Sequence, residues 1–390
     1  MKKKQKLIPL AVAAAALVGA CGSSSSTSSG ATTTAKSSPT SASSSPTSSS
    51  GSGGGGGAVI ANPSAAVNLT ESGSSLLYPY LQELVGPVKQ AYSNVTLAPA
   101  AGGSGKGITD ATNGISQIGG SDAYLTNAEL GSGLANIPIA VSAQDVAYNL
   151  PGVTNLKLSG PVLSQIYQGK ITTWNNPAIA KLNPGVTLPS MKVIPVHRSD
   201  SSGDTFIFTG YLSKSDSSGW GGNSGPGQGT TVTWPSVPSA LTASGNPGMV
   251  SACKASPGCL AYVGISAQST ATKAGLALAQ LKNQAGSFVS ANPATIESAV
   301  SNGGSNVGSN LVADLIFAPG AMSYPIVNFE YTVVKPKQSD PNTALGIRDF
   351  LTFATSPTGG STAALLSKED FQALPTSVLP KVKTAIATVK

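Results

Sequence analysis

Histidine and arginine are nearly missing from this chain of 390 residues, which has one of the former, His197, and two of the latter, Arg198 and Arg348. One imidazole leaves little material for a Ser–His–Asp triad. With only three cysteines, none at finger spacing, a metal site is not expected either. Charged residues are scarce at 10%, and neither a basic cluster nor aromatic–basic interleaving is found, which argues against nucleic acid as partner. The net charge of +7 owes four units to Lys2, Lys3, Lys4 and Lys6; without them 19 basic residues face 16 acidic ones. Two tempting motifs fail on inspection. A P-loop would need glycine at Ala100 and Ser or Thr at Gly107, and a nucleophile elbow around Ser104 would need glycine at Lys106.

The chain begins with a basic stretch and an apolar run, Leu7–Ala20, too short for a span of ~20 residues. No later run is long and apolar enough to span. That start has the two regions of a secretory signal, and Leu17-Val18-Gly19-Ala20-Cys21 resembles a bacterial lipobox in which Cys21 is lipidated. The expectation is a signal peptide at 1–20 and, at 21–57, a lipidated Cys21 on a disordered tether of Ser, Thr, Gly, Ala and Pro. As a flexible coil such a tether reaches about 30–35 Å. The folded body from Ala58 onward is large enough for two domains. Cys253 and Cys259 then remain. In an oxidising compartment an even pair reads as a disulfide, and Ser256-Pro257-Gly258 supplies the turn it needs. Two reduced cysteines packed in a core are the alternative.

The body alternates strand-like and helix-like segments, which argues for α/β architecture with largely parallel sheets. Expected strands include Val67–Thr70, Val95–Ala98, Ile118–Ser121, Val146–Asn149, Leu260–Ile265 and Ile326–Val334. Expected helices include a Leu77–Tyr92 stripe and segments at Ala267–Leu281, Asn342–Ala354 and Thr376–Val389. The most informative stretch is Pro195–Leu212, PVHRSDSSGDTFIFTGYL. It reads as a strand end, a small polar turn and a helix starting near Ser202. A helix N-terminus offers unpaired N–H groups and partial positive charge to an anion, and Arg198 adds a planar charged fork. The plainer reading is that Arg198 pairs with Asp200 and Ser202 merely caps the helix. Three other junctions have the same character: Glu71–Leu76, Gly102–Gly107 and Ser121-Asp122. In open α/β sheets such strand ends are where ligands bind, so together they suggest a site for one small oxyanion.

SGSSLLYP, GGSGKGITDATNG, ISQIGGSDAYL, IYQGKITTWNNPAIAKLNPG, PVHRSDSSGDTFIFTGYLS, GTTVTWP and SPGCLAYVGIS occur in this order. On these blocks the chain resembles the phosphate-binding lipoproteins of phosphate-specific ABC transporters, from about Val67 to the C-terminus. The resemblance implies a two-lobed periplasmic-binding-protein fold, type II-like, with the ligand cleft between lobes at 58–141 plus 324–390 and at 142–323. It implies phosphate contacts from Ser75, the backbone of Leu76, Ser104, Asp122, Arg198, Ser202 and Gly203, with Asp200 holding Arg198. The next position, often Thr in that family, is Asp204. Its N–H can still donate, while its carboxylate is open to three roles: repelling a dianion, capping its helix, or accepting a ligand proton. Phosphate near neutral pH carries a proton for an acceptor such as Asp122, whereas sulfate does not. The implied protein is a monomeric, membrane-anchored, extracytoplasmic binder without cofactor or catalysis, delivering inorganic phosphate to ABC permease subunits. A binder of another oxyanion and a secreted phosphatase are the alternatives.

Overall fold

The computed structural model describes residues 62–304 and 307–390. The expected signal, the Cys21 lipidation site and the tether lie outside the described residues. In chain order the elements are β1 Val67–Gly73, α1 Tyr78–Ala91, β2 Val95–Ala98, α2 Ser104–Asn113, β3 Ile118–Ser121, α3 Asn127–Gly131, β4 Ala135–Tyr148, β5 Lys157–Leu158, α4 Gly160–Tyr167, α5 Pro177–Leu182, β6 Ile194–Arg198 and α6 Gly203–Ser215. They continue with β7 Leu241–Ala243, α7 Gly245–Lys254, β8 Cys259–Gly264, α8 Gln268–Lys273, β9 Ala277–Leu278, β10 Gln280–Lys282, β11 Phe288–Val289, α9 Pro293–Gly303, β12 Val327–Val334, α10 Pro341–Ala354, α11 Ala363–Leu366 and α12 Leu379–Ala387. No helix among the described residues is long and apolar enough to cross a membrane.

One strand path, β2-β1-β3-β12-β4-β8-β6-β7, runs through the body. Its two flanks are parallel: β2, β1 and β3 on one side, β8, β6 and β7 on the other. The middle is antiparallel, because β12 and β4 run against their neighbours. The expectation of largely parallel sheets therefore holds only for the flanks. β4 links them. Its Ala135–Ala143 portion pairs with β12, and Gln144–Tyr148 pairs with β8. Thirteen of the fourteen β4 residues are buried, and its buried polar side chains, Asn136, Gln144 and Asp145, make hydrogen bonds that offset their burial.

Local chemistry explains most of the elements. Pro79 sits in the first turn of α1, where its missing N–H costs nothing, and Leu81, Leu84 and Val88 form the buried stripe. α2 ends on Gly114 in the left-handed conformation that favours glycine. Two expectations fail. The apolar periodicity over Ala267–Leu281 yields only α8 before the chain turns at Gly275 (φ 88°) and becomes β9 and β10, whose residues pair with β4 and β5. The expected strand Val146–Asn149 is only the end of β4. Cys253 and Cys259 are joined in a disulfide with Cα atoms 5.2 Å apart, clamping the end of α7 to the start of β8.

Candidate anion-binding site

Four helices start at the carboxyl ends of neighbouring strands, and their first residues converge. Before α1, the Ser74 hydroxyl accepts the N–H groups of Leu76 and Leu77, both at 3.0 Å, and donates to Asp122 Oδ1. Ser104 opens α2; its hydroxyl accepts the Asp122 N–H and donates to Asp122 Oδ2, both at 3.2 Å. Gly103 precedes it with φ of 89°, a conformation glycine adopts readily. From the other flank, Ser202 caps α6 by accepting the Thr205 N–H. Gly203 lies so close to the first flank that a Cβ there would fall 2.5 Å from both Asp122 Oδ2 and Ser104 Oγ. α7 brings Asn246, whose backbone and side-chain N–H groups donate to Ser75 Oγ at 3.1 and 3.3 Å. The flanks are in contact here, since the Gly105 N–H also donates to the Ser201 carbonyl at 3.0 Å.

Arg198 ends β6 with its side chain almost wholly buried. Its Nε donates to Asp200 Oδ1 at 2.7 Å, Nη2 donates to Asp200 Oδ2, and Nη1 donates to Asp204 Oδ2 at 2.6 Å. A guanidinium has five N–H donors, so one on each terminal nitrogen remains. Asp200 also accepts the Gly245 N–H at 3.2 Å, and so ties the arginine to the start of α7. Asp204 takes further N–H groups from Gln144 at 3.0 Å and Asn246 at 2.9 Å. The Asp204 carboxylate shares Arg198 with Asp200.

The electrostatics follow from burial and pairing. Burial opposes the Arg198 charge, but Asp200 and Asp204 outweigh it and push its pKa above the ordinary value. Burial likewise pushes Asp200 up, and the bonds from Arg198 more than offset that, holding it below the usual carboxylate range. Asp204 is pushed up to about 6 by burial and then by the nearby Asp122 charge, against the pull of Arg198. Asp122 is raised by burial despite hydrogen bonds from Glu330, Ser74 and Ser104.

All eight residues expected at the ligand, Ser75, Leu76, Ser104, Asp122, Arg198, Ser202, Gly203 and Asp204, thus lie at this convergence, with Asp200 beside them. Four residues at the site escaped sequence reasoning: Gln144, Asn246, Asn328 and Glu330. Asn328 Nδ2 donates to the Asp122 carbonyl at 3.0 Å. Glu330 was detectable in principle, because a carboxylate inside the apolar run of β12 contradicts the pattern around it.

The chain matches the family described as PBP superfamily domain over residues 26–358. It is 34% identical over 313 residues to the phosphate-binding protein PstS of Methanocaldococcus jannaschii, covering 75% of this chain and 79% of that protein. It is 32% identical over 336 residues to the phosphate-binding protein PstS 3 of Mycobacterium tuberculosis, covering 82% and 86% respectively. In fold it is similar to a phosphate-binding protein from Stenotrophomonas maltophilia, with a TM-score of 0.65 at 20% identity, covering 82% of this chain and 94% of that one. With a two-lobed fold and identity above 30% to these relatives over most of its length, this chain belongs to the PstS family of phosphate-binding proteins.

Proposed function

We propose that this protein captures inorganic phosphate outside the cytoplasm, without chemistry, and hands it to an ABC permease. The observation that carries the reading is the meeting of helix N-termini and Arg198 with one acceptor, Asp122. Backbone N–H groups and the remaining arginine donors suit a tetrahedral oxyanion, while a carboxylate that only accepts selects an anion that still carries a proton. Sulfate would leave that carboxylate facing an oxygen with no proton between them, at a cost of ~1–3 kcal/mol or more.

In this reading Ser75, the Leu76 N–H, Ser104, Asp122, Arg198, Ser202, Gly203 and the Asp204 N–H contact the ligand, and Asp200 orients Arg198. The lobes are 58–141 with 324–390, and 142–323, joined where β4 leaves β12 for β8. Ligand bridges them and favours the closed form, in which both sets of donors reach one anion. Cys21 carries the lipid, and the tether lets a monomeric body range near the membrane.

Titration calorimetry with phosphate, sulfate and arsenate tests the reading. Phosphate is expected to bind tightly and sulfate at least tenfold more weakly, with no turnover of a chromogenic phosphate ester. Equal binding of sulfate removes the proton-selective acceptor, and turnover of the ester removes the binder.

A further inference from the structure

Glu330 lies in the middle of β12 with none of its surface exposed, at the point where the β12–β4 register shifts. Such irregularities re-aim side chains. Here Glu330 Oε1 accepts from Ser142 Oγ at 2.5 Å and from Asn328 Nδ2 at 3.1 Å. Its Oε2 is buried and receives no hydrogen bond from a protein donor. Asn328 Nδ2, which donates to Glu330 Oε1, also donates to the Asp122 carbonyl at 3.0 Å, and the two carboxyl groups interact directly. A buried carboxylate oxygen with no donor is costly, and two ionised carboxylates in contact are costlier still. Both costs vanish if one proton lies between them.

Which partner holds the proton follows from their surroundings. Asp122 is served by donors from two elements, the Ser74 hydroxyl before α1 and the Ser104 hydroxyl on α2, and feels the Arg198 charge from β6. Facing it from α6 is the Asp204 carboxylate. Among the described residues no cation pairs with Glu330; its hydrogen-bond donors are the neutral Ser142 and Asn328. Asp122 is therefore the better place for the negative charge. Burial and the Asp122 charge together hold the Glu330 carboxyl well above the usual range.

We propose that Glu330 is a positioning residue for ligand selection: it holds a proton, donates it to Asp122, and so keeps Asp122 ionised as an acceptor for a proton on the bound anion. The inference rests on the reading of Asp122 as the ligand's acceptor. It adds that the selectivity of the site depends on a residue from a different strand that does not touch the ligand.

The test compares wild type, Glu330→Gln and Glu330→Leu by phosphate and sulfate titrations between pH 5.5 and 8. Gln keeps the acceptor for Ser142 and Asn328 and supplies a permanent N–H to Asp122. It is expected to stay within about threefold of wild type for phosphate and to keep the preference over sulfate. Leu removes the donor, so Asp122 takes up a proton more readily. The phosphate-to-sulfate preference is then expected to narrow about tenfold or more, most strongly at the acidic end. Loss of selectivity in the Gln variant overturns the proposal, as does a folded Leu variant with unchanged selectivity. If the Leu variant does not fold, the infrared difference spectrum between wild type and Glu330→Gln decides. A buried protonated-carboxyl band present in wild type and lost in the Gln variant supports the proposal, and a difference spectrum without such a band overturns it. That spectrum needs no ligand, so it separates failure of this inference from failure of phosphate capture, which would appear as a wild type that binds neither anion.

Discussion

Asp204 places a second carboxylate against Arg198, 2.6 Å from Nη1, within a site that also contains Asp122. With its pKa pushed up to about 6, first by burial, Asp204 is mostly ionised at pH 7.5 and mostly protonated at pH 5. An ionised Asp204 repels an incoming anion and weakens the pull of Arg198; a protonated one does neither. Asp204→Asn should therefore raise phosphate affinity at pH 7.5 by roughly severalfold to tenfold, the order of one close charge in a partly polar site. The gain should fade as the pH drops to 5. Phosphate itself titrates over this range, but equally for both proteins, so the ratio of their affinities isolates Asp204. Paired calorimetric titrations at the two pH values measure it. A ratio that does not change with pH would mean that the charge on Asp204 does not oppose the ligand.

Helix starts and single-face helices were legible because their signals are local. Pro79 and the Leu81, Leu84, Val88 stripe specify α1, and the small polar turn before Gly203 specifies α6. The plainer features of this stretch are both present: Arg198 pairs with Asp200, and the Ser202 cap opens the helix beside it. What was not legible depends on pairing partners distant in sequence. β4 is recognised as one strand only through β12 and β8, and the segment after α8 is drawn into strands by β4 and β5. Asn246 and Gln144 look like ordinary polar residues until folding sets them against Asp204. At this scale the start of α6 makes a prediction. A Cβ at Gly203 would lie 2.5 Å from Asp122 Oδ2 and 2.6 Å from Asp122 Cβ, too close for any contact to survive without movement. Gly203→Ala should push α6 away from the opposite flank and cost at least tenfold in phosphate affinity. The backbone angle at Gly203 is not of the kind only glycine tolerates, so the fold should persist, with a melting temperature in phosphate-free buffer within a few degrees of wild type. Unchanged affinity would show that the flanks need not approach this closely to hold the ligand.

Across the whole molecule, the buried carboxyls set a slope of stability against pH. Burial pushes Glu71 to about 8, with the backbone N–H groups of Ala100 and Gly120 opposing it too weakly to prevail. Among the described residues, Glu71 Oε1 has no hydrogen-bond partner. Burial also pushes Asp145 to about 7, with only Gln268 among its hydrogen-bond donors, and Asp204 to about 6. In the unfolded chain these groups titrate near 4. Between about pH 4 and 8 the folded protein therefore binds more protons than the unfolded one, and stability falls as pH rises. The stability these groups contribute is fully present below pH ~4 and lost as each folded value is passed. Asp200 has the opposite sign, but its contribution is lost only below the ordinary carboxylate range, outside this window. His197, half-buried and stacked on Trp234, also opposes the trend, because burial lowers its pKa. It is one group against several, since burial likewise raises Asp349 and Glu369 to about 7 and Glu330 well above the usual range. Since a tenfold change in proton affinity corresponds to ~1.4 kcal/mol, Glu71 alone sets a scale of a few kcal/mol. Urea unfolding in phosphate-free buffer should give a clearly lower midpoint at pH 8 than at pH 5, and Glu71→Gln should shrink the difference by removing one of these titrations. A wild-type midpoint that holds steady or rises from pH 5 to 8 would mean that these carboxyls are ionised in the folded protein.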